Sequence, residues 1–150
     1  MLEEQLVIEV TGNLWDADTE VICITTNGYV RTDGKAVMGR GCALEATQRF
    51  PAVASTLGSL LVEKGNHVHW LGEVDGKILM SFPVKHAWDQ PADLALIVRS
   101  AQELTNWVDS RNITSITLPR PGCGNGRLSW PVVKAVLFPI LDDRFQVITW

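Results

Sequence analysis

Apolar positions along this chain follow two alternating rhythms, and their order sketches a fold before any motif is considered. Leu6-Val7-Ile8-Glu9-Val10 has the composition of a strand and stops at Thr11-Gly12. After a short polar link, Val21-Ile22-Cys23-Ile24 is continuously apolar, the pattern of a strand covered on both faces. It runs into Thr25-Thr26-Asn27-Gly28, which puts Asn27 at the C-terminal edge of a central strand. Residues 29–37 are polar and keep neither period. Residues 43–50 read as a helix stopped by Pro51, and residues 52–64 as a second helix closed by Gly65. Two strand-like runs, 67–74 and 77–82, flank Asp75-Gly76, a strong hairpin signal. Residues 83–90 read as a loop. Leu94, Ile97, Ala101, Leu104 and Val108 recur at helical spacing and make 91–110 the longest amphipathic helix. Residues 113–117 read as a buried strand, 132–141 as a helix that Pro139 ends or kinks, and 145–149 as a last strand.

Strands alternating with helices, with one hairpin inserted, predict a three-layer α/β/α architecture with a mixed central sheet. The length of 150 residues suits one domain spanning 1–150, and 46% hydrophobic content with six tryptophans suits a packed core. A net charge of -4 argues against an extended duplex-binding surface, though a small local contact with nucleic acid stays possible. The three cysteines, Cys23, Cys42 and Cys123, are widely spaced and lack zinc-ligand spacing, which suits a reducing cytoplasm. The start, Met1-Leu2-Glu3-Glu4, has no basic region leading an apolar segment, and no apolar run reaches membrane-spanning length. The expectation is a cytoplasmic monomer with no membrane partner.

Candidate chemistry concentrates in two glycine loops. Residues 118–131, LPRPGCGNGRLSWP, join a β-branched run to an apolar-periodic one, with Gly122, Gly124 and Gly126 at alternate positions. Glycines there can turn backbone N–H groups towards a ligand, while Ser129 and Pro131 read as N-cap and first-turn residues of the next helix. Strand, glycine loop and helix N-terminus together make an anion cradle, with a plain β–α turn as the alternative. Met38-Gly39-Arg40-Gly41-Cys42 repeats the arrangement earlier in the chain. Two such loops suit a ligand with adjacent phosphates. Neither matches the Walker pattern or a dinucleotide fingerprint directly after the first strand, which disfavours a nucleoside triphosphatase or an ordinary dinucleotide oxidoreductase.

Gly12-Asn13-Leu14, Thr26-Asn27, VMGRGCA at 37–43 and LPRPGCGNGRLSW at 118–130 resemble the macro domain family in order and spacing, over essentially the whole chain. The two longer motifs look most like the branch of terminal ADP-ribose protein glycohydrolase and the bacterial antitoxins that remove ADP-ribose from DNA. The resemblance implies ADP-ribose as ligand, its diphosphate held between the loops. It assigns Met38, Gly39, Arg40, Gly41 and Cys42 to the first loop. Gly122, Cys123, Gly124, Asn125, Gly126, Arg127 and Leu128 fall to the second. Asn13 and Leu14 fall at the base end, with Asn13 where the family often has an aspartate. The amide oxygen of Asn13 can still accept from an adenine amino group, without the charge. Asn27 matches the asparagine that holds the distal ribose hydroxyls, and a planar donor–acceptor amide suits a diol. SFPVKHAW at 81–88 looks like the loop that carries a catalytic lysine, here Lys85, which attacks if neutral or stabilises a leaving group if protonated.

Gly126 departs from the terminal ADP-ribose protein glycohydrolase branch, which has an aspartate there, and resembles the DNA-directed branch. The segment 29–35 looks like an insertion and offers Asp33 as a substitute carboxylate and Tyr29 as a ribose stacker. His86 reads as a loop histidine without a partner, His67 and His69 as one face of the hairpin, Cys123 as a space-filler, and Trp88 and Trp130 as packing residues. The resemblance therefore implies a metal-independent, cofactor-free ADP-ribosyl hydrolase. Its favoured substrate is mono-ADP-ribosylated protein with an acidic side-chain linkage, in a DNA damage response. Alternatives are ADP-ribosylated DNA, ADP-ribose-1''-phosphate, or ADP-ribose reading without catalysis.

Overall fold

In the computed structural model, which describes residues 6–150, six strands form one mixed sheet flanked by four helices. The acidic start, Met1 to Glu4, lies outside the described residues. The strands are β1 (Ile8–Thr11), β2 (Val21–Asn27), β3 (Trp70–Val74), β4 (Lys77–Lys85), β5 (Ile116–Pro119) and β6 (Phe145–Thr149). The helices are α1 (Gly41–Arg49), α2 (Val53–Lys64), α3 (Leu94–Arg111) and α4 (Trp130–Leu137). The sheet order is β1-β6-β5-β2-β4-β3, parallel throughout except where β3 pairs antiparallel with β4.

The apolar run of β2 finds its cause in the two cores. Val21 and Cys23 point into the core built with α3 and α4, through Ile97, Leu104, Val108 and Leu137. Ile22 and Ile24 point into the core built with α1 and α2, through Ala46, Val53 and Leu57. Successive side chains leave a strand on opposite faces, so a strand between two helical layers must be apolar at every position. The expected three-layer α/β/α fold with a mixed sheet follows directly.

The hairpin turns at Asp75 (φ 54) and Gly76 (φ 79), the paired left-handed residues that a tight two-residue connection needs. Other boundaries shift. Leu6 and Val7 precede the β1 ladder, which begins at the pairing of Ile8 with Gln146. Residues 113–115 form a connection, where the Thr114 amide donates to Glu20 and Ser115 accepts from the Glu20 amide, and β5 continues to Pro119. α4 starts earlier, at Trp130, and stops two residues before Pro139. His67 and His69 lie ahead of β3: His67 Nδ1 meets Glu103 Oε2 at 2.6 Å and His69 Nε2 meets the Gly65 carbonyl at 2.9 Å.

The largest correction concerns β4. Residues 83–85 are strand, with Thr26 opposite Pro83 and Asn27 opposite Lys85. The register slips by one residue at Val84, a bulge that absorbs a proline in an otherwise central strand. From β2 the chain goes to β4 on one side and returns through β5 and β6 on the other. β2 is therefore the topological switch point, and ligands in such sheets bind beyond the C-terminal strand edges around it.

Candidate functional site

A cleft of about 810 Å³ opens at that edge. Thr25, Thr26 and Asn27 of β2, Val84 and Lys85 of β4, Pro119 of β5 and Ile148 and Thr149 of β6 form its floor. Residues 37–43 on one side and Arg120, residues 122–126 and Leu128 on the other form its walls. Of the residues singled out from the sequence, Asn13, Asn27, Met38, Gly39, Arg40, Gly41, Cys42, Lys85, Gly122, Cys123, Gly124, Asn125, Gly126 and Leu128 all line it. Leu14 does not: its side chain is fully buried in the α1/α2 core. Arg127 lies outside the lining too, on a left-handed backbone (φ 67).

The first loop enters α1 through Gly41 at φ 57, a conformation that other residues reach at a cost. Arg40 holds the N-cap position without a side-chain hydrogen bond, so the first-turn N–H groups of α1 face the cleft uncapped. Such groups attract anions. Cys42 packs beneath them: its thiol lies 3.5 Å from Thr25 Oγ1, and burial pushes its pKa up.

The second loop is built tightly. Gly122 takes φ 74, and its carbonyl accepts from the Leu128 amide at 2.9 Å. A Cβ at Gly126 would stand 2.5 Å from the Gly122 oxygen and 2.7 Å from Ala92 Cβ. Main chain and packed core occupy the space that a side chain would need. An aspartate cannot enter this loop in its present shape. Ser129 occupies the N-cap position of α4, but its hydroxyl makes no cap bond. Burial raises the pKa of Cys123, whose Sγ–H donates to the Pro121 carbonyl at 3.4 Å. That is a packed thiol and a poor nucleophile.

Asn27 and Lys85 face each other across the bulge. Asn27 Nδ2 donates to the Val37 carbonyl and its Oδ1 accepts from the Tyr29 amide, each at 3.0 Å. One N–H and one lone pair remain for a ligand. Lys85 is half-buried and Nζ reaches the Trp88 carbonyl at 3.5 Å. Burial, then the guanidinium groups of Arg127 and Arg40, push its pKa below the ordinary lysine range. Asn13 Oδ1 accepts from the Trp15 amide at 3.0 Å, capping a short turn at Leu14–Asp16, which leaves one lone pair and both N–H groups of Nδ2 for a ligand.

Neither Asp33 nor Tyr29 lines the cleft. Asp33 pairs with Arg31 at 3.1 Å and caps its own turn through the Lys35 amide. His86 does have a partner, Asp93 Oδ2 at 2.7 Å, which in turn caps α3. Trp130 packs edge-on against Phe138 with Arg120 over its face at 5.0 Å and also lines the cleft, as does Trp88, which stands half exposed at its rim. Thr26 and Arg120, which belong to the quoted motifs but were assigned no role, also line the cleft, and sequence reading missed Glu45 and Trp150. Glu45 lies four residues after Gly41 on α1, so helical spacing alone could have found it. Among the described residues, no helix is long and apolar enough to cross a membrane, and no three His, Cys, Asp or Glu side chains group as metal ligands.

No family model matches the chain. Individual relatives do. A DNA ADP-ribosyl glycohydrolase from Mycobacterium tuberculosis is 34% identical over 148 residues, which cover 92% of this chain and 40% of that protein. One from Thermus aquaticus is 31% identical over 147 residues, covering 94% and 39%. This chain thus spans about two fifths of those relatives' length. Among solved structures, the macrodomain of Mycobacterium tuberculosis DarG superposes with a TM-score of 0.77 at 27% identity, over 96% of this chain and 99% of that one. The fold, the paired glycine loops and these likenesses agree: the chain belongs to the macro domain family, in the branch of the DarG macrodomains.

Proposed function

We propose that this domain binds ADP-ribose in the cleft and releases it from ADP-ribosylated DNA, with Lys85 as nucleophile and Asn27 holding the distal ribose. The observation that carries the reading is Lys85 itself. It is half-buried, opposite Asn27, with a pKa lowered by burial and by an arginine from each glycine loop. A lysine in that setting keeps more of its amine neutral at physiological pH. The uncapped N-terminus of α1 and the backbone of residues 122–127 suit the diphosphate. Asn13 offers a donor, Nδ2, to the base.

The chemistry balances without a carboxylate in the second loop. The Lys85 amine forms a bond to C1'' of the distal ribose, and the bond from C1'' to the target breaks. Its electron pair leaves with the target atom, which takes up the proton that the amine sheds. Opening of the sugar ring gives a Schiff base. Water then adds to C1'', the amine leaves, and free ADP-ribose departs. The amine supplies its own proton to the leaving group, so the side chain that Gly126 excludes is not needed.

DNA is preferred over a protein carboxylate on two grounds. The relatives are named for DNA, and the second loop has no room for the acid on which the protein-directed branch relies. The test supplies ADP-ribosylated single-stranded DNA, auto-modified protein and ADP-ribose-1''-phosphate in parallel, with and without a chelator. Release of ADP-ribose from the DNA, unchanged by the chelator, is the expected result. Release from protein alone would return the acidic-linkage reading. Tight ADP-ribose binding with no release from any substrate would make the domain a reader.

A further inference from the structure

Lys85 sits where the sheet ladder is irregular, so something other than regular pairing must fix it. At the bulge its carbonyl receives two donors: the Gly28 amide at 3.2 Å and the side-chain Nδ2 of Asn66 at 3.0 Å. We propose that Asn66 is a positioning residue for Lys85, its amide clamping the end of β4 so that the lysine projects into the cleft opposite Asn27. The inference rests on the assignment of Lys85 as nucleophile. Asn66 does not line the cleft, so it acts through Lys85 and not on the ligand.

Three features show that the clamp is built rather than incidental. First, the segment carrying Asn66 is pinned to α3. Arg99 donates through Nη2 to the Asn66 carbonyl, and Glu103 takes the Val68 amide at 3.0 Å and His67 Nδ1 at 2.6 Å. Second, a glycine makes room for the amide. A Cβ at Gly28 would stand 2.8 Å from both Cγ and Nδ2 of Asn66, and its backbone φ is not one that requires glycine. Space for Asn66 is therefore the reason for Gly28. Third, the amide has one tolerable orientation. Its Oδ1 is buried without a partner, and flipping the group would instead set that oxygen against the Lys85 carbonyl. Keeping an orphaned acceptor in order to aim one donor marks the donor as the important half.

The test compares Asn66→Ala, Asn66→Asp and Gly28→Ala with Lys85→Ala and the parent. Asn66→Asp keeps the shape but loses the donor, and Gly28→Ala displaces an unaltered Asn66. Turnover is measured on ADP-ribosylated single-stranded DNA, affinity on free ADP-ribose by calorimetry. Lys85 is read directly, by mass spectrometry of its modification with an amine reagent across pH. The expected result is a kcat lowered on the order of tenfold to a hundredfold in all three, as for a misplaced catalytic group. ADP-ribose affinity should hold within about twofold, since the loops are untouched. The Lys85 labelling curve should move to higher pH as the amine leaves the influence of burial, Arg127 and Arg40. Parent kcat and a parent labelling curve in folded Asn66→Ala, or in Gly28→Ala if the Asn66 variants do not fold, would overturn the clamp. Full turnover by Lys85→Ala would instead remove the nucleophile assignment. The labelling curve then still decides whether Asn66 holds Lys85.

Discussion

The two glycine loops look alike in sequence and differ in what their glycines are for. In the first, a Cβ at Gly39 would meet nothing within 4 Å, and one at Gly41 only Asn125 Nδ2 at 3.8 Å. Gly41 is there for its φ of 57. In the second, Gly126 is there for space, the nearest atom to an added Cβ lying at 2.5 Å, and Gly122 both for space, at 2.9 Å, and for its φ of 74. One loop needs conformational freedom and leaves room for a ligand. The other is jammed against Ala92 at Gly122 and Gly126, where it lends backbone and has no room for a side chain. Chemistry must therefore come from the strand ends between them, and Lys85 is the candidate there.

The comparison breaks or holds on substitutions. Gly126→Ala should be the most damaging, costing about 2–3 kcal/mol by overpacking against main chain, and it should also weaken ADP-ribose binding. Denaturant unfolding and calorimetry read both. Gly41→Ala should cost about 1 kcal/mol for its left-handed backbone. Gly39→Ala should leave stability within about 0.5 kcal/mol, as an unhindered surface change does. It should nevertheless lower ADP-ribose affinity, because the ligand's approach is what Gly39 leaves open. Equal stability losses at positions 39 and 126 would erase the distinction between the loops.

The smallest effect sharpens the electrostatics. Both loops contribute an arginine that disfavours the Lys85 ammonium, and Arg127 acts more strongly than Arg40. If the neutral amine attacks, kcat/KM rises as pH rises through the Lys85 pKa of the free protein. Removing a neighbouring positive charge favours the ammonium, raises that pKa and moves the acid limb to higher pH. Arg127→Gln should move the limb further than Arg40→Gln. A shift to lower pH in either would contradict the assignment.

Much of this was legible in the sequence. Continuous apolar character placed β2 between two layers, and alternate glycines exposed both loops, because steric demands on backbone leave a compositional mark. What stayed hidden depends on long-range packing. Pro83 disguised three residues of β4, since a proline ordinarily ends a central strand and only the bulge accommodates it. Asn13 was identified, but the hydrogen bond that orients its amide comes from the Trp15 amide, two residues along in a turn that has no strong signature. His86 has its partner seven residues away at the N-cap of α3, and Glu45 enters the cleft only because α1 begins at its lip. Lys85 was singled out by resemblance, whereas its depressed pKa comes first from burial in the fold and then from Arg127 and Arg40, some 40 positions away on either side.

The central claim is that Lys85 bonds covalently to the distal ribose during turnover. The direct measurement is borohydride reduction of the reacting mixture with ADP-ribosylated single-stranded DNA, followed by peptide mass spectrometry. The account predicts an ADP-ribose adduct on the peptide containing Lys85, absent without borohydride and absent in Lys85→Ala, which should also lose turnover. Continued release of ADP-ribose with no adduct on Lys85, or by Lys85→Ala, would contradict it.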